Sequence, residues 1–472
     1  MTENPKLKVP EIVVPNAEPF KNDRLERQKS ADVLTQLLKT EAGPLVLALD
    51  SPWGTGKTTF LRMWRQSLSN EGFQTILFNA WENDFSENAL AALVSEVCGL
   101  IAEFRDAGKS RAEKAAAKLK GYGAKLIKAA IPVGLKIATA GCLKAEDFTE
   151  ESLGEFVESL AKEAIEKYSA DKTSIQEFRK ELAKYVEDVQ GKAAPAGEHR
   201  PLVFMIDELD RCRPDYAVQV LEKVKHLFSV PNVVFVLALD RAQLSHALCC
   251  VYGADMNTDG YLRRFLDLEY RLPEPDRVVY CEYLFAATGL DAFFEGRQRG
   301  CDEKASAFTV LTEVGQLFNF GLRDMEHAIR RFAIVCRTSS EQVLCASYTG
   351  FLVCLLIHKK DLYADYVAGR AESDALLKYM EAIPKGPQFI RMDSGVILKA
   401  FLQMADHNRD TLALLREYDA QREDEKLSEE KRQHADRMMA GLQLVQSEAR
   451  SVRLGELREY VRNKIEMTEN FS

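Results

Sequence analysis

The sequence lacks the marks of a secreted, membrane-bound or strongly basic protein. Its ten cysteines include no C-x-x-C pair, which argues against a disulfide framework and favours reduced thiols. The start of the chain holds no apolar run of signal-peptide length, so we expect a cytoplasmic protein. Lys and Arg number 63 against 72 Asp and Glu, for a net charge of −9. Such a chain does not coat nucleic acid by bulk electrostatics.

Long uncharged apolar runs are also missing. Residues Ala124–Leu143 are about long enough to cross a bilayer, but three lysines and a proline make them a poor transmembrane helix. Leu344–Ile357 carries no charged side chain but has the length of a buried helix rather than of a membrane span. We therefore expect no obligatory membrane insertion.

Short apolar runs, in contrast, are plentiful, and 46% of the 472 residues are hydrophobic. Four β-rich runs each end at a polar residue: Leu45–Asp50, Gln74–Asn79, Leu202–Asp207 and Val233–Asp240. They do not alternate between polar and apolar residues, which is typical of strands buried on both faces of a parallel sheet. Helical patterns lie between them, so the sequence predicts an α/β fold with a parallel sheet. A fifth strand is predicted at Leu266–Leu272.

The spacing of these runs divides the chain. About 120 residues rich in Ala, Lys and Glu separate the second run from the third, far more than an ordinary crossover needs. We predict an inserted helical subdomain there, and a pattern that stays helical from Asp276 to the C-terminus. The predicted division is 1–99 for the N-terminal segment and first half of the core, 100–198 for the insertion, 199–275 for the second half, and 276–472 for the helical C-terminal region.

The first predicted strand leads into a phosphate-binding sequence, Ser51-Pro-Trp-Gly-Thr-Gly-Lys-Thr-Thr59, and then into an amphipathic helix. Glycines let backbone N–H groups turn toward an anion, the helix N-terminus favours negative charge, a lysine reaches the outer phosphates and a hydroxyl binds Mg²⁺. Only Ser51 departs from the usual pattern, which begins with glycine. The residues predicted to bind nucleotide are Trp53, Gly54, Thr55, Gly56, Lys57, Thr58 and Thr59.

Two carboxylates follow the third predicted strand. Asp207 is placed to hold Mg²⁺ together with Thr58, and Glu208 is placed to activate a water molecule for attack on the γ-phosphate. Lys57 and Glu208 are the first candidates for catalytic residues. The expected cofactors are ATP and Mg²⁺.

Further candidates for contact with the γ-phosphate lie downstream. Asp240 ends the fourth predicted strand, although capping of the following helix explains it equally well. Arg263 and Arg264 precede the fifth strand, and Arg323 begins a later helix. Arginine stays charged and binds phosphate through two parallel hydrogen bonds, but most helix arginines are surface residues.

These motifs together resemble the KAP family of P-loop NTPases. The matching elements are Asn22-Asp-Arg-Leu-Glu-Arg27, Trp53-Gly-Thr-Gly-Lys-Thr58, Phe78-Asn-Ala-Trp81, Asp207-Glu-Leu-Asp-Arg-Cys-Arg-Pro214, Val236-Leu-Ala-Leu-Asp240, Tyr252-Gly253 with Tyr261-Leu262, and Leu272-Pro273. The resemblance implies a P-loop NTPase core with a helical insertion, which in the family often bears transmembrane helices. It also implies an association, for bacterial members, with defence against phages and mobile elements. Family members commonly have Asp-Asp where this chain has Asp207-Glu208.

The main functional hypothesis is an Mg²⁺-dependent ATPase that couples hydrolysis to a conformational or assembly change. A nucleotide-gated scaffold with negligible hydrolysis and a small-molecule kinase are the alternatives. ATP is preferred over GTP because no Asn-Lys-x-Asp element that reads guanine is present. The expected partners are further copies of the chain and a protein of the same operon. Nucleic acid stays an open alternative, because residues 109–128 are rich in lysine, but a solvated helix also explains them.

Overall fold

The computed structural model describes residues 12–41, 43–85, 88–103, 111–129, 173–189, 198–227, 229–297, 303–339, 343–406, 410–449 and 452–469. These residues form two compact units that divide between Pro273 and Glu274. We call residues 12–273 the sheet unit and residues 274–472 the helical unit. The predicted division of the chain into four parts stays a prediction.

The sheet unit is built on five parallel strands in the order β2-β3-β4-β1-β5. The strands are β1 Leu45–Asp50, β2 Thr75–Asn79, β3 Leu202–Asp207, β4 Val233–Leu239 and β5 Leu268–Arg271. This confirms the predicted α/β fold with a parallel P-loop core. Strand β5 is shorter than the predicted Leu266–Leu272, and it lies at the edge of the sheet, where it is largely exposed.

The strands in the middle of the sheet show why their sequences do not alternate. In β1, Val46 and Ala48 pack into the apolar core on one face of the sheet, whereas Leu45, Leu47 and Leu49 pack into a separate core on the other face. Because both faces are covered, every position favours an apolar side chain. Strands β3 and β4 are buried along their whole length for the same reason.

Helices cover both faces of this sheet. Those that the structure describes are α1 Gln28–Thr40, α2 Lys57–Asn70, α3 Ala89–Glu103, α4 Arg111–Ala129, α5 (173–189), α6 Pro214–Leu227, α7 Arg241–Tyr252 and α8 Thr258–Leu262.

The inserted segment between β2 and β3 is helical where the structure describes it. Helices α3, α4 and α5 contribute Leu93, Leu119 and Phe178 to the core that covers β2 and β3. Gly123 lets α3 and α4 approach closely, because a Cβ there would lie 2.8 Å from Cys98 Sγ. Most of the stretch Ala124–Leu143 lies outside the described residues. Within the described part of the chain, no helix is long and apolar enough to cross a membrane.

The helical unit has no strand among its described residues. Its helices are α9 Arg277–Thr288, α10 Leu290–Glu295, α11 Glu303–Leu317, α12 Leu322–Thr338, α13 Ala346–His358, α14 Lys360–Val367, α15 Ser373–Ala382, α16 Gly386–Arg391, α17 Asp393–Ala405, α18 Thr411–Glu423, α19 Glu429–Glu448 and α20 Leu457–Glu469. Helix α13 is the centre of their shared core, since every residue from Ala346 to Leu356 is buried. The uncharged run in the sequence is thus a buried helix.

Candidate functional site

The loop between β1 and α2 has the backbone that phosphate binding requires. Gly54 and Gly56 have φ values of 75° and 86°, in the left-handed region that side chains other than glycine rarely adopt. Gly56 is also the residue from which α2 begins. The first N–H groups of that helix have no partner within the helix and are therefore available to an anion.

Small side chains complete the loop. Thr55 Oγ1 lies 2.7 Å from Ser51 Oγ and donates to the carbonyl of Pro52 at 2.8 Å. Ser51, the one departure from the usual motif, therefore braces the turn with its hydroxyl group. Thr59 follows in the first turn of α2 and is half-buried.

Lys57 is folded back onto this loop. Its Nζ donates to the carbonyls of Ser51, at 2.5 Å, and Pro52, at 3.1 Å. Burial lowers the pKa of Lys57, and the negative charges of nearby aspartates, led by Asp210, oppose that shift. A buried ammonium group near several carboxylates is thus held by loop carbonyls.

Thr58 and Asp207 lie together, as predicted from the motif, although β4 separates the strands that lead to them. The Thr58 hydroxyl hydrogen-bonds to the Asp207 carboxylate, which also accepts the backbone N–H of Glu208 at 2.9 Å. Burial raises the pKa of Asp207, and the negative charges of Glu208 and Asp210 add to the shift.

This pair fits Mg²⁺ rather than a softer metal. A carboxylate and a hydroxyl are hard oxygen ligands, and crowding among carboxylates favours a cation beside Asp207. No group of three or more His, Cys, Asp or Glu residues in the described ranges is arranged to hold a metal ion. Such a sparse protein contribution is typical of Mg²⁺ in nucleotide sites, where phosphate oxygens and water complete the coordination.

Glu208 occupies a constrained position directly after β3. Its backbone is left-handed, with φ 60°. Arg211 Nη1 lies 2.7 Å from one carboxylate oxygen, and Asn79 Nδ2 donates to the other at 3.4 Å. Asn79 is the last residue of β2 and pairs in register with Asp207. Sequence reasoning proposed no role for Asn79, although it is part of the Asn-Ala-Trp element.

Asp210 connects the ends of two strands with the phosphate-binding loop. Its Oδ2 accepts the indole N–H of Trp53 at 2.5 Å and the backbone N–H of Asp240 at 2.9 Å. The backbone N–H of Trp53 in turn donates to Asp240 Oδ2 at 3.2 Å. Burial raises the pKa of Asp210, whereas Lys57 and the Trp53 hydrogen bond lower it. The sequence predicts only that Asp210 and Arg211 order this loop or contact a neighbouring subunit.

Asp240 is a helix cap in this structure. Its Oδ1 accepts the backbone N–H groups of Ala242 and Gln243, and its Oδ2 accepts that of Trp53. With both oxygens bonded to the backbone, Asp240 positions the phosphate-binding loop. A role in sensing the γ-phosphate stays a prediction.

The three candidate arginines are exposed, and Arg263 and Arg264 do not join this cluster. Arg263 and Arg264 follow α8, and neither side chain has a hydrogen bond or ion pair to the described residues. Arg323 lies in the first turn of α12, in the helical unit. Their roles at the γ-phosphate stay predictions.

A fourth arginine, Arg27, contacts the loop instead. It is buried, and it donates to the carbonyls of Thr55 at 3.2 Å and Pro273 at 2.6 Å. Arg27 is the last residue of the Asn-Asp-Arg-Leu-Glu-Arg element. The sequence therefore contained a signal for Arg27, but it did not indicate what this residue does.

A comparison with protein families settles which group of P-loop proteins this is. The family described as the KAP family P-loop domain matches residues 27–339, about two thirds of the chain. The chain belongs to this family. The KAP match begins at Arg27 and extends past Pro273 into the helical unit as far as Ser339.

No curated protein matches the chain. Several solved structures show a distant likeness. The Aeropyrum pernix ORC2 protein in its ADP form is 11% identical, with a TM-score of 0.32 over 97% of this chain and 95% of that chain. CDC6P from Pyrobaculum aerophilum is 10% identical, with a TM-score of 0.37 over 97% of both chains. The KAP assignment rests on the family match, and the fold on the strand order described above.

Proposed function

We propose that this KAP-family protein binds ATP together with Mg²⁺ and hydrolyses the γ-phosphate. The observation that carries the proposal is the meeting of Lys57, Thr58, Asp207 and Glu208 at one edge of the sheet. A phosphate cradle alone would support binding, but a glutamate beside the metal-binding aspartate supplies the acceptor that hydrolysis needs.

The loop binds the phosphates in this proposal. The N–H groups at the start of α2 and the glycine-rich turn donate to phosphate oxygens. Lys57 exchanges the carbonyls of Ser51 and Pro52 for a negatively charged partner, which offsets the burial of its ammonium group.

Thr58 and Asp207 would hold Mg²⁺, which supplies charge neutralisation of the outer phosphates when it is bound. Glu208 orients a water molecule and accepts its proton as the water oxygen bonds to phosphorus and the bond to ADP breaks. The products are ADP and inorganic phosphate.

Phosphate release by the wild type, Glu208→Gln and Glu198→Gln tests the reaction. Glu198 is an exposed glutamate before β3 and serves as the matched control. We expect Glu208→Gln to lower kcat by about 100-fold or more, the range for loss of a general base, while ATP still binds. Equal rates for all three proteins would remove Glu208 from the mechanism.

Binding is tested separately with Lys57→Ala. Loss of a charge-assisted hydrogen bond to phosphate is expected to raise the Kd for ATP about 10- to 100-fold, measured by calorimetry with Mg²⁺ present. The same titration with GTP tests the preference for ATP. An unchanged Kd would show that Lys57 stays on the loop carbonyls and takes no part in binding.

A nucleotide-gated scaffold is the second candidate, and one observation favours it. Both carboxylate oxygens of Glu208 are bonded to side chains, to Arg211 and to Asn79, an arrangement that suits slow hydrolysis. Single-turnover hydrolysis combined with size measurements in the free and ATP-bound states separates the two. Fast turnover without any change in assembly argues against the scaffold.

Coupling to assembly and to defence against phages belongs to the same proposal and rests on the family resemblance. Exposed Arg263 and Arg264 suit a contact in trans with a site on another copy. If so, a mixture of Lys57→Ala and Arg264→Ala proteins regains activity that neither has alone. Phage plating on cells that express wild type or Lys57→Ala protein tests the biological role, and equal plating would refute it.

A further inference from the structure

Arg211 lies where it can control the proposed catalytic glutamate. It follows Glu208 by three residues, and a short 3-10 turn, Leu209–Arg211, brings the two side chains together. The guanidinium Nη1 is 2.7 Å from Glu208 Oε1, and the side chains are only 26% and 14% exposed. An ion pair this sheltered from water is stronger than a freely solvated one.

The other oxygen of Glu208 faces a fixed amide. Asn79 Nδ2 donates to Oε2 at 3.4 Å, while Asn79 Oδ1 accepts the backbone N–H groups of Trp81 and Glu82 at 3.1 and 3.2 Å. Those backbone bonds hold the amide in one orientation. Glu208 is thus restrained from two directions, although the contact with Asn79 is long and weaker than the ion pair.

We propose that Arg211 is a positioning residue that holds Glu208 in a resting state, and that hydrolysis requires release of this ion pair. The proposal rests on the proposed function of Glu208. While Arg211 holds Oε1 and Asn79 contacts Oε2, neither oxygen of Glu208 is free to accept a hydrogen bond from an attacking water molecule. The fraction of time that Glu208 spends free of Arg211 therefore limits kcat.

An experiment can distinguish this resting-state role of Arg211 from the alternative role of binding the γ-phosphate. A residue that stabilised the γ-phosphate would have to leave Glu208, and its loss would then slow hydrolysis. A resting-state partner behaves in the opposite way, because its loss frees the glutamate. The direction of the change in kcat therefore distinguishes the two roles.

Two variants remove the guanidinium: Arg211→Ala, and Arg211→Gln, which keeps more of the side-chain length. Arg211→Lys keeps the charge, and Arg65→Ala removes an exposed arginine of α2 as the matched control. We expect Arg211→Ala and Arg211→Gln to raise kcat about 5-fold or more, because about 5-fold is the upper end for a solvent-exposed ion pair and this pair is sheltered, with KM for ATP unchanged. Arg211→Lys should stay near the wild type, and thermal melting should show that all variants fold.

A kcat that is unchanged or lower in both variants, with KM unchanged, overturns the proposal. A parallel rise in KM also overturns it, because Arg211 would then support nucleotide binding. Adding Glu208→Gln to Arg211→Ala must abolish the gain, since the effect is assigned to Glu208.

The proposed function fails differently. If the wild type binds ATP but hydrolyses it no faster than Glu208→Gln, hydrolysis by the wild type is refuted. If ATP is then hydrolysed by Arg211→Ala alone, the proposal that Arg211 holds Glu208 in a resting state is supported. If Arg211→Ala also fails to hydrolyse ATP, that proposal is refuted as well.

Discussion

Buried charge is arranged differently in the two units. In the helical unit, buried Arg458 is neutralised within the fold, since it donates to Asp406 at 2.6 Å and Glu372 at 2.8 Å. In the sheet unit, buried Lys57 has no ion pair among the described residues and donates to two loop carbonyls instead. A buried ion pair neutralises its charges within the fold, whereas a buried charge without an ion-pair partner remains available to a ligand.

Glu448 adds a third arrangement to this comparison. It is buried at the end of α19 and has no ion-pair partner in the described part of the chain. Burial raises its pKa to about 7, with a further contribution from Glu303, and the backbone N–H of Ala346 opposes part of the shift. This residue therefore takes up a proton far more readily than an ordinary glutamate, and no cation in the described part of the chain pairs with it.

The largest expected effect is the loss of stability when the ion pair between Arg458 and Asp406 is broken. Arg458→Ala leaves Asp406 buried without its cation, so we expect the free energy of unfolding to fall by about 3–5 kcal/mol. Lys57→Met removes a buried charge that has no ion-pair partner among the described residues. The free energy of unfolding should therefore change by no more than about 1 kcal/mol. Urea unfolding at neutral pH measures both, with Arg453→Ala, an exposed arginine, as the control. A larger loss for Lys57→Met than for Arg458→Ala would break the comparison.

The next effect depends on pH. Because the pKa of Glu448 is raised from 4.5 to about 7, the folded state binds a proton more readily than the unfolded chain. The free energy of unfolding should therefore fall by about 3 kcal/mol between about pH 4.5 and 7, and change little above that. Glu448→Gln should lessen this slope, while the part due to Asp406, whose pKa burial raises to about 6, remains. Glu430→Gln, exposed on the same helix, should keep the whole slope. An unchanged slope in Glu448→Gln would assign it to other groups.

The smallest effect tests the bond between the phosphate-binding loop and the strand ends. Trp53→Phe removes the indole N–H that Asp210 accepts, and the Kd for ATP should rise about 5-fold, the equivalent of about 1 kcal/mol. Trp81→Phe is the control, because its indole is exposed and makes no hydrogen bond to the described residues. Equal Kd values in the two variants would show that the loop is ordered without Trp53.

Local signals explain what the sequence could predict. The apolar runs of β1 and β3 and the Gly-x-Gly-Lys-Thr turn each lie within a few residues, so the strand ends and the loop could be predicted from the sequence. The contacts of Asn79 with Glu208 and of Trp53 with Asp210 join residues 129 and 157 positions apart. They depend on the order of strands in the sheet, which the sequence does not state.

Contacts between distant parts of the chain also decide where helices end and which role a capping residue has, and the sequence alone does not show them. The sequence predicts one helix over Ser110–Lys120 and helical structure again from Ala124, whereas α4 continues without a break from Arg111 to Ala129, because Leu119 and Leu126 both reach the core. For Asp240, the sequence offered a cap and a phosphate sensor equally. Only the position of Trp53 beside it in space explains why both carboxylate oxygens are occupied.

The indole of Trp53 gives the site an optical readout. The chain has three tryptophans: Trp64 is fully buried, Trp81 is exposed, and Trp53 is 46% exposed with its N–H on Asp210. A protein in which Trp64 and Trp81 are replaced by phenylalanine would fluoresce from the phosphate-binding loop alone. Filling and emptying of the loop could then be followed in real time by stopped flow, without a labelled nucleotide.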